Sequence, residues 1–273
     1  MNPTASPKAN PEALPREGAP VSCSAAPEAS PEAPLREGIP VHRPIAPSAD
    51  VAAPPRVGAA SAMVDLARVG AGFSDAALGS QAVFRAALHA LAHPGRLVEL
   101  AHDAEVPAQG HAASAALLLA LLDPGCSLWL SPSLAASDAA GWLRFHTGCR
   151  LTSEPGAAQF AWIAVGDELP PLERFAQGSD AAPDQSTTCV LDVPLLAEGV
   201  DGSAGEARWT LGGPGIDGSC ALRIGGLPDA ALAALRAQRA ANHAAFPRGT
   251  DMFLATPTHV VGLPRTTRIE AEN

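Results

Sequence analysis

Lysine is almost missing from this 273-residue chain: Lys8 is the only one, and it sits in a proline-rich N-terminal stretch. The remainder therefore has no amine for a Schiff base and no lysine for a Walker A phosphate loop, which excludes pyridoxal-phosphate enzymes and P-loop NTPases. Cysteine is also sparse. Cys23, Cys126, Cys149, Cys189 and Cys220 lie 23 or more residues apart, with no C-x-x-C and no iron–sulfur spacing. A structural zinc site, a cluster and a disulfide framework are all disfavoured, and the cysteines read as small buried hydrophobes in a reducing cytoplasm. Long apolar runs are lacking too. The longest nearly apolar stretch, Ala112 to Leu122, has eleven residues, about half of what a membrane span needs. The opening Met1-Asn2-Pro3-Thr4-Ala5 carries neither the basic nor the apolar region of a secretion signal. The expectation is a cytoplasmic protein without membrane contact.

Aromatic residues are absent from residues 1–60, which instead hold 13 of the 27 prolines. Such a segment cannot repay its ordering entropy, so it reads as a disordered tail followed by one domain over 61–273. The tail repeats itself: Pro11-Glu12-Ala13-Leu14-Pro15-Arg16-Glu17-Gly18 returns as Pro31-Glu32-Ala33-Pro34-Leu35-Arg36-Glu37-Gly38. Two proline-rich copies make an extended spacer rather than a solenoid. Basic charge is scarce in the domain, where 13 arginines face 22 acidic residues. A surface that negative repels a phosphate backbone, so nucleic acid is excluded as a general partner.

From Met63 onward, helical and strand-like segments alternate. Gln81 to His93 spaces Phe84, Ala87, Leu88 and Leu91 along one helical face, with Ser80 as cap and Pro94-Gly95 as stop. Strand Leu97 to Ala101 follows, then a buried helix from Ala112 to Leu122 and strand Cys126 to Leu130. Further helices are expected over Ala135 to Thr147, Leu169 to Ala176 and Pro228 to Asn242. Further strands are expected over Phe160 to Val165, Thr188 to Val193, Ala207 to Leu211, Ala221 to Ile224, Met252 to Ala255 and His259 to Leu263. This order predicts an α/β domain, a mixed sheet flanked by helices on both faces.

Four constellations bear on chemistry. Gly213-Pro214-Gly215-Ile216-Asp217-Gly218 matches G-x-G-x-x-G, but a strand follows it where a dinucleotide site needs a helix, so it reads as a turn. His89 and His93 share a helical face and have metal-ligand spacing; without a third ligand nearby they read as a helix-end pair. Arg144 and His146 precede Gly148 at a helix end, where they either neutralise terminal carbonyls or meet an anion or a partner. Arg265 and Arg268, flanked by Thr266 and Thr267, suit a carboxylate or phosphate, yet on a strand they would point to opposite faces. No nucleophile elbow and no electropositive cysteine motif supports nucleophilic catalysis.

Several segments together resemble a known family. In order they are Phe73-Ser74-Asp75, Gln81-Ala82-Val83-Phe84-Arg85, His93-Pro94-Gly95, Leu143-Arg144-Phe145-His146-Thr147, Gly212-Gly213-Pro214-Gly215-Ile216, Phe246-Pro247-Arg248-Gly249-Thr250-Asp251 and Pro264-Arg265-Thr266-Thr267. Their sequence is similar to the PhnH family, a component of the bacterial carbon–phosphorus lyase system that acts on phosphonates. The resemblance implies a cytoplasmic subunit that works with subunits G, I and J in transferring a phosphonate onto the ribose of ATP, adenine being displaced. It implies no stand-alone enzyme activity and no cofactor. It also implies a homodimer with a fold like that of pyridoxal-phosphate transferases without the cofactor, which agrees with the missing lysine. The primary expectation is an accessory, non-catalytic subunit; the alternative is one that lends anion-binding or catalytic side chains to the transfer. Arg144, His146 and Arg265 lie in the family-like segments and are the candidate functional surface.

Overall fold

The computed structural model describes residues 69–201 and 205–270; the expected tail and its repeat lie outside them. The described chain opens with helix α1 (Ala76–Ala92) and the short strand β1 (Val98–Glu99). Helix α2 (Ala112–Leu121), strand β2 (Ser127–Leu130) and helices α3 (Pro132–Ala135) and α4 (Asp138–Thr147) follow. Next come strands β3 (Arg150–Thr152), β4 (Phe160–Ile163), β5 (Thr188–Asp192), β6 (Leu195–Glu198), β7 (Glu206–Gly212) and β8 (Cys220–Gly225). Helix α5 (Asp229–Ala244) and strands β9 (Asp251–Ala255), β10 (His259–Leu263) and β11 (Arg268–Ile269) complete it.

Among the described residues, seven strands form a mixed sheet in the order β1-β10-β9-β5-β4-β2-β3, parallel from β9 to β3 and antiparallel at β10 and β1. Strands β11-β7-β8-β6 make a second, antiparallel sheet. Alternation along the central strands explains the layering. Phe253 and Ala255 of β9 face one core with Val190 and Trp162, while Met252 and Leu254 face another with Cys189, Leu191 and Ile163. The first core is roofed by α1, α2 and α4; the second is closed by the antiparallel sheet, through Trp209, Leu211, Leu222 and Ile224, and by α5, through Leu232 and Leu235. Both faces of the parallel strands are thus covered, as their near-continuous apolar sequences require. Helices do flank both faces, but on the second face most of the cover is a sheet.

Several expected elements are corrected. Helix α1 starts five residues before Gln81, because Asp75 and not Ser80 is the cap, its carboxylate accepting from the Ala77 and Leu78 amides at 3.0 and 2.9 Å. Its buried face is Val83, Ala87 and Ala90, so Phe84 and Leu88 point outward. The helix expected over Ala135 to Thr147 is two helices, broken where Ser137 caps α4. Leu169 to Ala176 holds only a 3-10 turn, Leu172–Arg174, since Pro170 and Pro171 remove backbone donors at its start. Strands β3, β6 and β11 were not expected; the first two are edge strands and β11 is two residues long. The G-x-G-x-x-G segment joins β7 to β8 as a turn. Gly215 there has φ of 82° and lies so close to α1 that a Cβ would run into the Ala92 carbonyl. Its glycine serves packing and backbone sign, not a phosphate.

Candidate functional site

Helix α4 carries two of the three candidate residues. It is held at its N-terminus by Ser137, whose hydroxyl accepts from the Ala139 amide at 3.2 Å. It stops at Gly148, with φ of 70°, whose amide donates to the Arg144 carbonyl at 3.0 Å. Leu143 and Trp142 are buried beneath the helix; Arg144 and Phe145 turn outward, Phe145 being 55% exposed. Among the described residues the Arg144 guanidinium meets no acceptor.

His146 is placed differently. Its Nε2–H donates to the Gly70 carbonyl at 2.9 Å, and Trp142 Nε1–H donates to the same carbonyl at 3.0 Å. The ring also stands edge-on to Trp142 and Phe145, with centroids 4.9 and 5.0 Å away. His146 therefore pins the segment before α1 onto α4. That segment is tied again at the Ala71 amide by the Glu105 carboxylate at 3.0 Å, and at Ser74 by Asp103. The Ser74 contacts hold the Asp103 carboxyl below its ordinary range.

Arg265 lies elsewhere, in the turn from Pro264 to Thr267 and not on a strand. Its guanidinium is surrounded by the protein's own acceptors. Nε–H and Nη2–H donate to the two oxygens of Asp251 at 3.2 and 2.5 Å, and Nη2–H also reaches Ser186 Oγ at 2.6 Å. Nη1–H donates to the carbonyls of Pro183 and Pro247 at 2.6 and 3.3 Å. The side chain is 11% exposed. Beside it, the wholly buried Arg239 donates to the carbonyls of Thr250, Leu263 and Pro264, while Asn242 bonds both the amide and the carbonyl of Thr250. Burial pulls the Arg239 guanidinium down to about 10, still protonated at neutral pH. This cluster ties α5, the ends of β9 and β10 and the 183–186 turn together. It shares no partner with the α4 surface, so the three candidates do not form one site.

His89 and His93 stack with centroids 4.3 Å apart, and His93 Nδ1–H donates to the His89 carbonyl at 3.0 Å. The pair closes the end of α1, and among the described residues no group of three or more ligating side chains could hold a metal ion.

The sequence reading missed Asp192, at the carboxyl end of central strand β5. Its carboxylate is fully buried and accepts from the His111 amide at 2.8 Å, Ser114 Oγ at 2.5 Å and Trp162 Nε1 at 3.0 Å. Burial nonetheless pushes its pKa up, the hydrogen bonds only partly offsetting the desolvation. The signal was an acid closing the apolar run Thr188 to Val193.

A model of the bacterial phosphonate metabolism protein family PhnH matches residues 71–270, nearly the whole described region. The chain belongs to the PhnH family. Among curated relatives, the alpha-D-ribose 1-methylphosphonate 5-triphosphate synthase subunit PhnH of Rhizobium meliloti is 38% identical over 200 residues, which is 73% of this chain and 94% of that protein. A putative C-P lyase subunit protein, HtxG, of Stutzerimonas stutzeri is 33% identical over 190 residues, 69% of this chain and 85% of the relative. The α4 surface, the α1 histidine pair and the Arg265 cluster all fall inside the matched region of this PhnH-family chain, whereas the proline-rich residues 1–60 fall outside it.

Proposed function

We propose that this chain is an accessory subunit of a carbon–phosphorus lyase core complex, supporting transfer of a phosphonate onto the ribose of ATP without performing chemistry alone. Its partners in this reading are subunits G, I and J, and it also pairs with a second copy of itself in the cytoplasm. No described helix is long and apolar enough to cross a membrane, which is compatible with that setting. The mixed sheet is compatible with a pyridoxal-phosphate transferase-like scaffold, and the absence of lysine from the domain with one that does without the cofactor.

The observation that carries the proposal is the outward set of arginine and apolar side chains on the helical layer. Arg144 and Phe145 project from α4, and Phe84 and Leu88, 46% and 52% exposed, from α1; both helices pack on α2. Aromatic residues and arginine are what protein interfaces favour, because they bury large area and make desolvated ionic contacts. His146 belongs to this reading as the residue that fixes the α4 end against the 69–75 segment. The alternative, that Arg265 binds the transferring anion, is opposed by the five internal acceptor contacts that already occupy its guanidinium.

Co-expression with the other subunits tests this. Arg144→Ala and Phe145→Ala together should leave the isolated chain's melting unchanged within about 1 °C, since both side chains are exposed, yet reduce its copurification with the complex at least tenfold. Undiminished copurification and phosphonate growth would overturn the assignment of this surface.

A further inference from the structure

Cys126 and Cys149, 23 residues apart in sequence, come together because each immediately precedes one of two parallel neighbouring strands. Ser127 of β2 pairs with Arg150 of β3, and the first bond of that ladder runs from the Arg150 amide to the Cys126 carbonyl at 3.0 Å. One residue back in the same register, Cys126 lies beside Cys149. Both thiols face the helical layer: Cys149 is part of that core, Cys126 packs against it, and Leu128, two residues on from Cys126, points the same way. Laterally paired strands stand about 4.8 Å apart, and a disulfide needs Cα atoms about 4.4 to 6.8 Å apart with side chains on one face. The pairing satisfies both conditions without a change of register.

The two thiols differ in access. Cys126 is half-buried and Cys149 buried. Around them stand Asp123 in the turn before β2, accepting from the Cys126 amide at 3.1 Å, Thr147 and Arg144 at the end of α4, and Arg150 on β3, whose Nη2–H donates to the Gly125 carbonyl at 2.9 Å. Burial pushes both thiols up, with Thr147 and then Arg144 moderating the effect at Cys149. Both are therefore protonated at neutral pH, and the more accessible Cys126 is the one an oxidant meets first.

We propose that Cys126 and Cys149 form a reversible dithiol–disulfide modification site, oxidised by low-molecular-weight disulfides. The Cys126 thiol loses its proton and attacks one sulfur of the small disulfide, forming a mixed disulfide and releasing one small thiol. Cys149 then loses its proton and attacks Cys126 Sγ, forming the intramolecular bond and releasing the second small thiol. Two protein thiols are oxidised and one small disulfide is reduced to two thiols. The bond ties edge strand β3 to β2 and closes the loop that contains α3 and α4.

The test exposes the full-length chain to oxidised glutathione and then cleaves it at arginine with free thiols blocked. The expected product is the peptide 97–144 joined to 145–150, lost on treatment with dithiothreitol. The oxidised protein should melt about 5 to 10 °C higher, because the new cross-link restricts the unfolded chain. Cys149→Ala should trap the glutathione adduct on Cys126, whereas Cys126→Ala should leave Cys149 unmodified in the native protein. Mapping of the wild-type chain decides the matter even if the Cys149 variant does not fold. A lasting adduct on Cys126 in the wild-type protein, or a bond from either cysteine to Cys23, Cys189 or Cys220, would overturn the proposal.

Discussion

Removing the Arg265 side chain separates a structural clamp from a functional surface. The guanidinium forms a two-pronged ion pair with Asp251 and three further bonds, to Pro183, Ser186 and Pro247. Arg265→Ala leaves the Asp251 carboxylate, whose side chain is 26% exposed, without its direct ion-pair partner and leaves two carbonyls short of a donor. Breaking one side of a fully buried pair costs about 3 to 5 kcal/mol. Solvent reaches this pair partly, so the expected cost is about 2 to 4 kcal/mol. For a domain of this size that is a fall of about 5 to 15 °C in thermal midpoint. Arg265→Lys keeps the charge but has no planar fork, so it should recover less than half of the loss. Asp251→Asn in both backgrounds measures the pair itself, with an expected coupling of about 1 to 3 kcal/mol. Calorimetry or denaturant unfolding reads wild type and all the variants. An Arg265→Ala midpoint within 1 °C of wild type, together with lost synthesis of the ribose ester in an intact complex, would refute the clamp and favour a direct role in the transfer.

Other expected outcomes are smaller or narrower. His146→Ala removes one hydrogen bond to Gly70 while Trp142 keeps the other, so the cost should be about 1 kcal/mol by denaturant titration; a loss above 3 kcal/mol would mean the segment before α1 depends on it wholly. Deleting residues 1–60 should leave the thermal midpoint unchanged, since they hold no aromatic anchor; a fall of several degrees would show that they pack on the domain. For Asp192, whose folded pKa is raised above the unfolded one, the native state holds the extra proton between the two values. Stability contributed at low pH is therefore lost as pH rises from about 4 through the folded value. Asp192→Asn cannot titrate, so its stability relative to wild type should improve between pH 4 and pH 7. A difference that stays constant over that range would contradict the raised pKa.

What the sequence made legible follows from which residues lose water. The central strands and helix α2 are largely buried, and their apolar runs end at turn-forming residues, so β4, β9 and α2 lie within two residues of the expected Phe160 to Val165, Met252 to Ala255 and Ala112 to Leu122. Helix α1 was found but rotated. Hydrophobicity alone favours Phe84 and Leu88 as its inner face, yet the surface against α2 and β10 takes Val83, Ala87 and Ala90, which are small enough for close approach. Periodicity cannot separate an apolar residue held for the core from one held for another protein. Edge strand β3, Arg150-Leu151-Thr152, has one partner and little burial, so its pattern carries almost no signal. Arg265 was misplaced for a related reason. Its role depends on Asp251, fourteen residues earlier, and on acceptors from separate turns, and no local spacing records such a convergence.

Asp192 shows how this arrangement bears on function. In open α/β sheets the crevice beyond the carboxyl ends of parallel strands is where ligands bind, and a helix N-terminus there favours an anion. Here β5 ends at that edge and α2 begins beside it, with the His111 amide and Ser114 hydroxyl both turned toward one acceptor. The acceptor is the chain's own carboxylate, held from the other side by Trp162 of β4. A phosphate offered to the same donors would have to displace a buried aspartate from them. The donors at this edge are thus spent on joining sheet to helix. The same holds at Arg265, where a guanidinium suited to an anion is spent on an internal carboxylate. By contrast, the Arg144 guanidinium meets no acceptor among the described residues, and Phe145 stays mostly exposed beside His146 on the outer side of the helical layer, where a protein surface can reach both. In the proposed reading, these outward groups are the ones left for another subunit, while the donors at Asp192 and Arg265 are already taken up inside the domain.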